Sequence, residues 1–174
     1  MRTLVTHEMR GIVGVPMREE VSYPIAASDI RRWALAVYYP EIPPPEFWDD
    51  DHPVTVAMGG IVAPEEFNPL AWITRDPRPV RHDPAGATPR VGAFEMALGV
   101  EPPQFRAVLQ GEIRASYGEA RMRPGDVIKA ATSITEYFER EGRMGLQLYT
   151  TVSEAFTNQS GEWVKTVDTV FVRY

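Results

Sequence analysis

Cysteine is absent from these 174 residues, which excludes disulfides, thiolate metal sites and cysteine nucleophiles, and fits a reducing compartment. Histidine is nearly absent too, with His7, His52 and His82 the only three. No apolar run is long enough for a membrane span, and residues 1–30, interrupted by Glu8, Arg10, Arg18 and Glu19, hold no signal-peptide core. A cytoplasmic protein with no membrane partner is the expectation. Positive charge is in deficit, 18 Lys and Arg against 24 Asp and Glu, for a net charge of −6. Nucleic acid is therefore not an expected partner, since a polyanion needs a clustered basic face. The one Arg-rich run, Arg75, Arg78, Arg81 and Arg90, reads as a solvated loop ahead of an anion site. Internal repeats, low-complexity tracts and a domain linker are also missing.

What is present is a chain 44% hydrophobic and 24% charged, enough for one sizeable core. Residues 1–174 are expected to form one domain. The remainder of the chain reads as wrapping for the stretch from Gly59 to Thr74. Gly59 and Gly60 permit a sharp turn, Pro64 suits a first helical turn, and Glu65 and Glu66 favour the positive end of a helix. Ile61, Phe67, Leu70, Ala71, Trp72 and Ile73 leave little polar face, so the spacing predicts a buried helix, kinked or ended early at Pro69.

Around that stretch, residues 1–15 contain a short helix ending near Gly11 or Gly14, and Glu20–Tyr23 is a brief strand stopped by Pro24. Ser28 is the expected N-cap of a helix from Asp29 to Val37, with Ile30, Trp33, Ala34 and Val37 on one face. Pro40, Pro43, Pro44 and Pro45 then force an extended segment up to Asp49, Asp50 and Asp51. These three acids read as a solvated turn that starts a helix rather than a metal site, because consecutive carboxylates do not converge on one ion. His52 beside them reads as a surface residue rather than a catalyst. No metal and no cofactor is expected.

Residues 75–105 carry Pro77, Pro79, Pro84, Pro89, Pro102 and Pro103, and a loop of that length in a compact domain is expected to act as a lid or a mobile segment. From Val108 the period becomes two: Leu109, Gly111, Ile113, Ala115 and Tyr117 alternate with polar residues, a half-buried strand. Further strands follow at Val127–Tyr137, Leu146–Val152 and Trp163–Tyr174, separated by turn chemistry at Arg123–Asp126, Glu139–Gly145 and Asn158–Gly161. They are expected to form a four-strand antiparallel meander. The order is α+β, and the economical packing is one antiparallel sheet wrapped around one long central helix.

The runs Ile30–Ala36, Gly59–Pro64, Arg123–Asp126 and Asn158–Glu162, in that order, resemble the hot-dog fold of the MaoC-like acyl dehydratases, in particular the type found as an N-terminal half or separate first subunit. Catalytic members of that family hydrate or dehydrate 2-enoyl thioesters carried on coenzyme A or acyl carrier protein. They use a motif reading Asp, any, Asn, Pro, any, His, whose carboxylate and imidazole share one water. Matched forward from Ala36 and backward from Asp49, this chain places Tyr39 where the Asp belongs, Glu41 near the Asn and Phe47 where the His belongs. The motif is missing.

The resemblance thus implies a substrate-channel subunit, expected to be non-catalytic in itself, of a heteromeric (R)-specific 2-enoyl-thioester hydratase or dehydratase, with a second hot-dog subunit bringing the Asp and His. Fatty-acid, polyketide or steroid side-chain metabolism would be its setting. The expected substrate-binding residues are Gly59, Gly60, Ile61, Val62 and Ala63, with Trp72 as a pocket wall. Free N–H groups at the predicted helix start would face the thioester oxygen, although the glycines equally serve a close turn. The alternatives are an acyl-thioester-binding or scaffolding hot-dog homodimer without chemistry, and a thioesterase drawing on Glu65 or Glu66.

Overall fold

The computed structural model describes residues 3–73, 91–143 and 145–174, without the Trp72 side chain. The Arg-rich run, most of the proline-rich stretch 75–105 and His82 lie outside the described residues. Of the described helices none is long and apolar enough to cross a membrane.

Helix α1, His7–Gly11, starts where the Thr6 hydroxyl accepts from Met9 N at 3.2 Å, and it buries Met9 completely. Helix α2, Ala27–Tyr38, buries Ile30 and Ala34 and half-buries Trp33. It begins earlier than expected. Ala26, extended at φ −90° and ψ 141°, is the cap, and Ser28 lies inside the first turn. Helix α2 ends as the sequence requires, because Tyr39 must be extended ahead of Pro40 and is. After a 3-10 turn at Pro45–Phe47, helix α3, Pro53–Ala57, starts from His52, whose Nδ1 accepts from Val54 N at 3.3 Å. The acidic turn does start a helix.

The buried helix predicted from Gly59 is absent as far as Ile73. Gly59 and Gly60 have φ of 77° and 117°, and they terminate α3 rather than begin a new helix. Gly59 N and Gly60 N bond back to Val56 O and Thr55 O. Residues 61–63 then run without helical bonds, Val62 N donating to Glu46 O and Ala63 N to Met122 O at 2.8 Å. Only a 3-10 turn follows, Pro69–Trp72, with Pro69 at its start and Asn68 Oδ1 accepting from Leu70 N. Among the described residues the longest helix is α2, not a central one.

Five strands form one antiparallel sheet: β1 Pro16–Val21, β2 Val108–Tyr117, β3 Lys129–Gly142, β4 Gly145–Thr157 and β5 Trp163–Arg173, in the order β1-β3-β4-β5-β2. Only β3, β4 and β5 form the expected meander. Strand β2 crosses to the far edge and pairs with β5, not with β3. Nor is β2 half-buried: past Val108 every residue is exposed, Leu109 at 55% and Ile113 at 57%. An edge strand shares its burial with one neighbour only, and a register shift at Gly111 interrupts the period-two pattern.

One sheet face carries two apolar clusters. The larger gathers Ile25, Ile30, Ile61, Phe67, Ile128 and Phe156, with Trp33 packed against it. The smaller joins Val5, Met9 and Leu148 to Phe105 and Tyr137. This is the hot-dog arrangement in its α+β form, with α2 and the 61–68 segment lying where a helix was expected.

Candidate functional site on the inner sheet face

Directly opposed residues of antiparallel strands point to the same face. The register therefore puts Arg18, Thr132, Glu154, Val167 and Ala115 in one row across all five strands. Glu20, Ala130, Phe156, Lys165 and Tyr117 form the next row, on the same side. This is the inner face, since Ala130 and Phe156 belong to the larger cluster.

Along β4 the inward residues Leu148, Thr150, Val152 and Phe156 are buried, whereas Glu154 between them is only half-buried. The inner face thus opens at Glu154, between the two clusters, and the opening extends over half-buried Thr132 and Thr169 to exposed Ile113. A carboxylate occupies the position where an apolar side chain would close the row.

The electrostatics follow from that placement. Burial pushes the Glu154 carboxyl above the ordinary carboxylate value, the Arg18 guanidinium pulls it back, the Glu20 carboxylate adds to the rise and Lys165 opposes it. Arg18 also pairs with Glu20. Lys165 is buried; its Nζ donates to Phe67 O at 2.8 Å and Glu65 O at 3.1 Å, and sits 5.0 Å from the Phe156 ring centroid. Burial pushes this amine below its ordinary value, against the pull of Glu66 and Glu154.

A raised carboxyl binds its proton more tightly in the folded chain. The stability it contributes is complete below the ordinary value of 4.5 and is lost as pH rises through the folded value. Glu154→Gln has no charge to keep half-buried. It is expected to unfold at a higher temperature than the parent at neutral pH, the gap closing below pH 4.5. Thermal unfolding followed by circular dichroism at both pH values checks this; equal gaps would show that Glu154 is fully hydrated.

The residues singled out in the sequence separate in space. Ile61, Val62 and Ala63 are buried in the core, and four of the N–H groups at Gly59–Ala63 are already bonded within the chain. The expected row of free donors does not form, because no helix starts there. The close-turn role of the glycines is the one the geometry carries: Arg123 donates to Met58 O at 2.7 Å, and Arg121 to Ala63 O at 2.9 Å, tying this turn to the Arg123–Asp126 loop. Trp72 closes the 3-10 turn, its side chain outside the described residues. Glu65 and Glu66 are exposed in a turn, Glu65 3.8 Å from Arg121, and no helix axis aims them.

At the motif positions Tyr39 is 82% exposed, Glu41 is exposed, and Phe47 is buried against Tyr38 and Val62. His52 caps α3, and His7 is exposed on α1. Neither hydrogen-bonds a carboxylate of the described residues. Among the described residues no group of three or more His, Asp or Glu could hold a metal ion.

Sequence reasoning missed the charged residues inside the sheet. Glu154 left one signal: an acid in phase with Leu148, Thr150, Val152 and Phe156 breaks an otherwise inward-facing row. Arg173 left none. It is fully buried beside fully buried Glu95 of helix α4, Ala93–Met96, with Nη1 donating to Oε2 at 2.9 Å and Nη2 to Oε1 at 2.6 Å. Tyr137 donates to the same carboxylate at 2.9 Å, and burial with Glu95 beside it raises the Tyr137 hydroxyl well above its ordinary value.

With this geometry in view, the chain can be set beside known proteins. By sequence, no curated protein matches it. The ChsH1-ChsH2 complex from Mycobacterium tuberculosis contains a chain of similar fold, with a TM-score of 0.60 and 18% identity over 92% of this chain and 84% of that one. The HadBC (3R-hydroxyacyl-ACP dehydratase) complex from the same organism, C-terminally truncated, gives 0.53 and 18% over 92% and 99%. The MaoC-like dehydratase from Rhodospirillum rubrum gives 0.52 and 17% over 93% of each chain. At these identities the likeness is one of fold, and the fold is the hot-dog. Residues 11–167 match the family described as FAS1-like, dehydratase domain region, and the chain belongs to that family.

Proposed function

We propose that this chain is the substrate-channel subunit of a heteromeric MaoC-like 2-enoyl-thioester hydratase or dehydratase, and that a second hot-dog chain supplies the carboxylate and imidazole. One observation carries the reading. Where a catalytic member places its proton-handling pair, this chain has an exposed Tyr39 and a core Phe47. Without a positioned acid or base, each such group's factor of roughly a hundred to ten thousand in rate is lost. The chain keeps the fold that would receive an acyl group and lacks the groups that would act on it.

Two further facts support a partner. Strand β2 ends the sheet with its outer side unpaired among the described residues and with Leu109, Ile113 and Tyr117 exposed, a surface on which another sheet can continue. Two of the similar solved structures are complexes by their own descriptions. In this reading Gly59, Gly60 and Trp72 border the acyl channel, with Ile61, Val62 and Ala63 as its packed backing. The ligand is an acyl group on coenzyme A or acyl carrier protein, and no cofactor takes part.

The test is reconstitution. The chain alone is expected to hydrate 2-enoyl-CoA no faster than buffer. Addition of the hot-dog chain that copurifies with it, identified by mass spectrometry, should raise the rate by at least about a hundredfold. Full activity of the isolated chain, abolished by Tyr39→Phe or Glu41→Gln, would overturn the assignment.

A further inference from the structure

The inner face has a polar point that the channel reading does not use. Glu154 is half-buried between Val152 and Phe156 on its own strand and beside Val167 on β5. No hydrogen bond reaches its carboxylate from the described residues. Arg18 stands across Thr132 in the same row, its side chain 59% exposed, with Nη2 paired to Glu20 and its other guanidinium N–H groups left to donate. The site therefore offers an acceptor and a donor set in apolar walls, where the inner face is uncovered.

We propose that Glu154 and Arg18 form a recognition point for a further hydroxyl group on the acyl chain of the thioester, beyond carbon 3 where the proposed hydration acts. The proposal rests on the reading of this face as an acyl channel and adds the class of acyl group. A plain methylene chain laid over Glu154 would strip water from the carboxylate and return no hydrogen bond, which is unfavourable. A ketone could accept from Arg18 but could give Glu154 nothing. A hydroxyl donates once and accepts through two lone pairs, so one group answers both side chains. Half-buried Val167 and exposed Ile113 offer the hydrocarbon an apolar surface beside it.

The experiment compares binding of lauroyl-CoA with that of ω-hydroxylauroyl-CoA and mid-chain hydroxylauroyl-CoA to the full chain, in the oligomeric state in which it purifies, by calorimetry. At least one hydroxylated thioester should bind about tenfold more tightly than its parent, as a hydrogen bond to a charged group implies. Glu154→Leu should erase that preference and tighten lauroyl-CoA binding, since no carboxylate is then left to desolvate. Arg18→Leu, on an exposed edge-strand position, should reduce the preference, and it serves as the readout if Glu154→Leu does not fold. Equal binding of all three thioesters overturns the hydroxyl assignment and leaves the channel standing. Binding of none overturns both. A preference that survives both substitutions places hydroxyl recognition elsewhere and overturns the role of this pair.

Discussion

Arg173→Met is expected to lower the free energy of unfolding by about 3–5 kcal/mol, the usual consequence of breaking a buried ion pair and leaving one charge alone. Arg173 and Glu95 are both fully buried, and the guanidinium grips the carboxylate through two nitrogens while also bonding the Thr150 hydroxyl and lying 4.8 Å from the Phe105 ring. Without it, Glu95 keeps only the Tyr137 hydroxyl among the described residues. The double change Arg173→Met with Glu95→Leu should recover most of the loss, because no ion is then left to desolvate. Urea denaturation of the two variants decides the matter. A loss under about 1 kcal/mol in the single variant would mean that Glu95 swings out to water, since that is the range of an exposed pair. The pair also fastens α4, which follows the stretch outside the described residues, to the last strand, so Arg173→Met should expose the chain around residues 91–105 to protease.

Phe67→Ala should be of similar size, about 3–5 kcal/mol. The ring is fully buried and meets Trp33 of α2 edge-on, with centroids 5.6 Å apart. Its own carbonyl accepts from the buried Lys165 ammonium. Phe67 is thus the fastening of the non-helical segment 61–68 over the sheet, and alanine would leave a cavity with a buried amine at its edge. Ile30→Val, in the same cluster, removes only one methylene and should cost about 0.5–1.5 kcal/mol. Equal effects from the two would show that the segment is held by its backbone bonds to Glu46 and Met122 instead.

Period-two alternation located four of the five strands because it depends only on which side of a strand faces apolar material. It could not say which strand neighbours which, and β2 therefore appeared as the first rung of a meander when it is the far edge. The same limit made β2 look half-buried: Leu109, Ile113 and Tyr117 alternate as a core face does, but nothing among the described residues covers them. The predicted central helix failed for a local reason. Gly59 and Gly60 can begin a helix or end one, and the choice belonged to Pro53, sixteen residues ahead of Pro69, which had already started α3. On the functional side the loss of the Asp and His motif was readable directly from Tyr39, Glu41 and Phe47. Glu154 was readable only in part, as an acid out of place in an inward row; Lys165 lies on β5, which the meander already set beside β4, but Arg18 comes from β1, two strands away, and no spacing reveals that placement.

The two ends of the sheet are built differently, and this bears on how the protein would behave in a production strain. Strand β1 opens with Pro16 and carries Arg18, Glu19 and Glu20, features that discourage a foreign strand from docking. Strand β2 is ten residues long, exposed on both sides and only lightly charged, so it is the edge on which a foreign strand docks more easily. Overproduced by itself, the chain should cling to its own copies at that edge and collect in inclusion bodies, and co-expression with a strand donor, or a lysine in place of Ile113, should keep it in the supernatant.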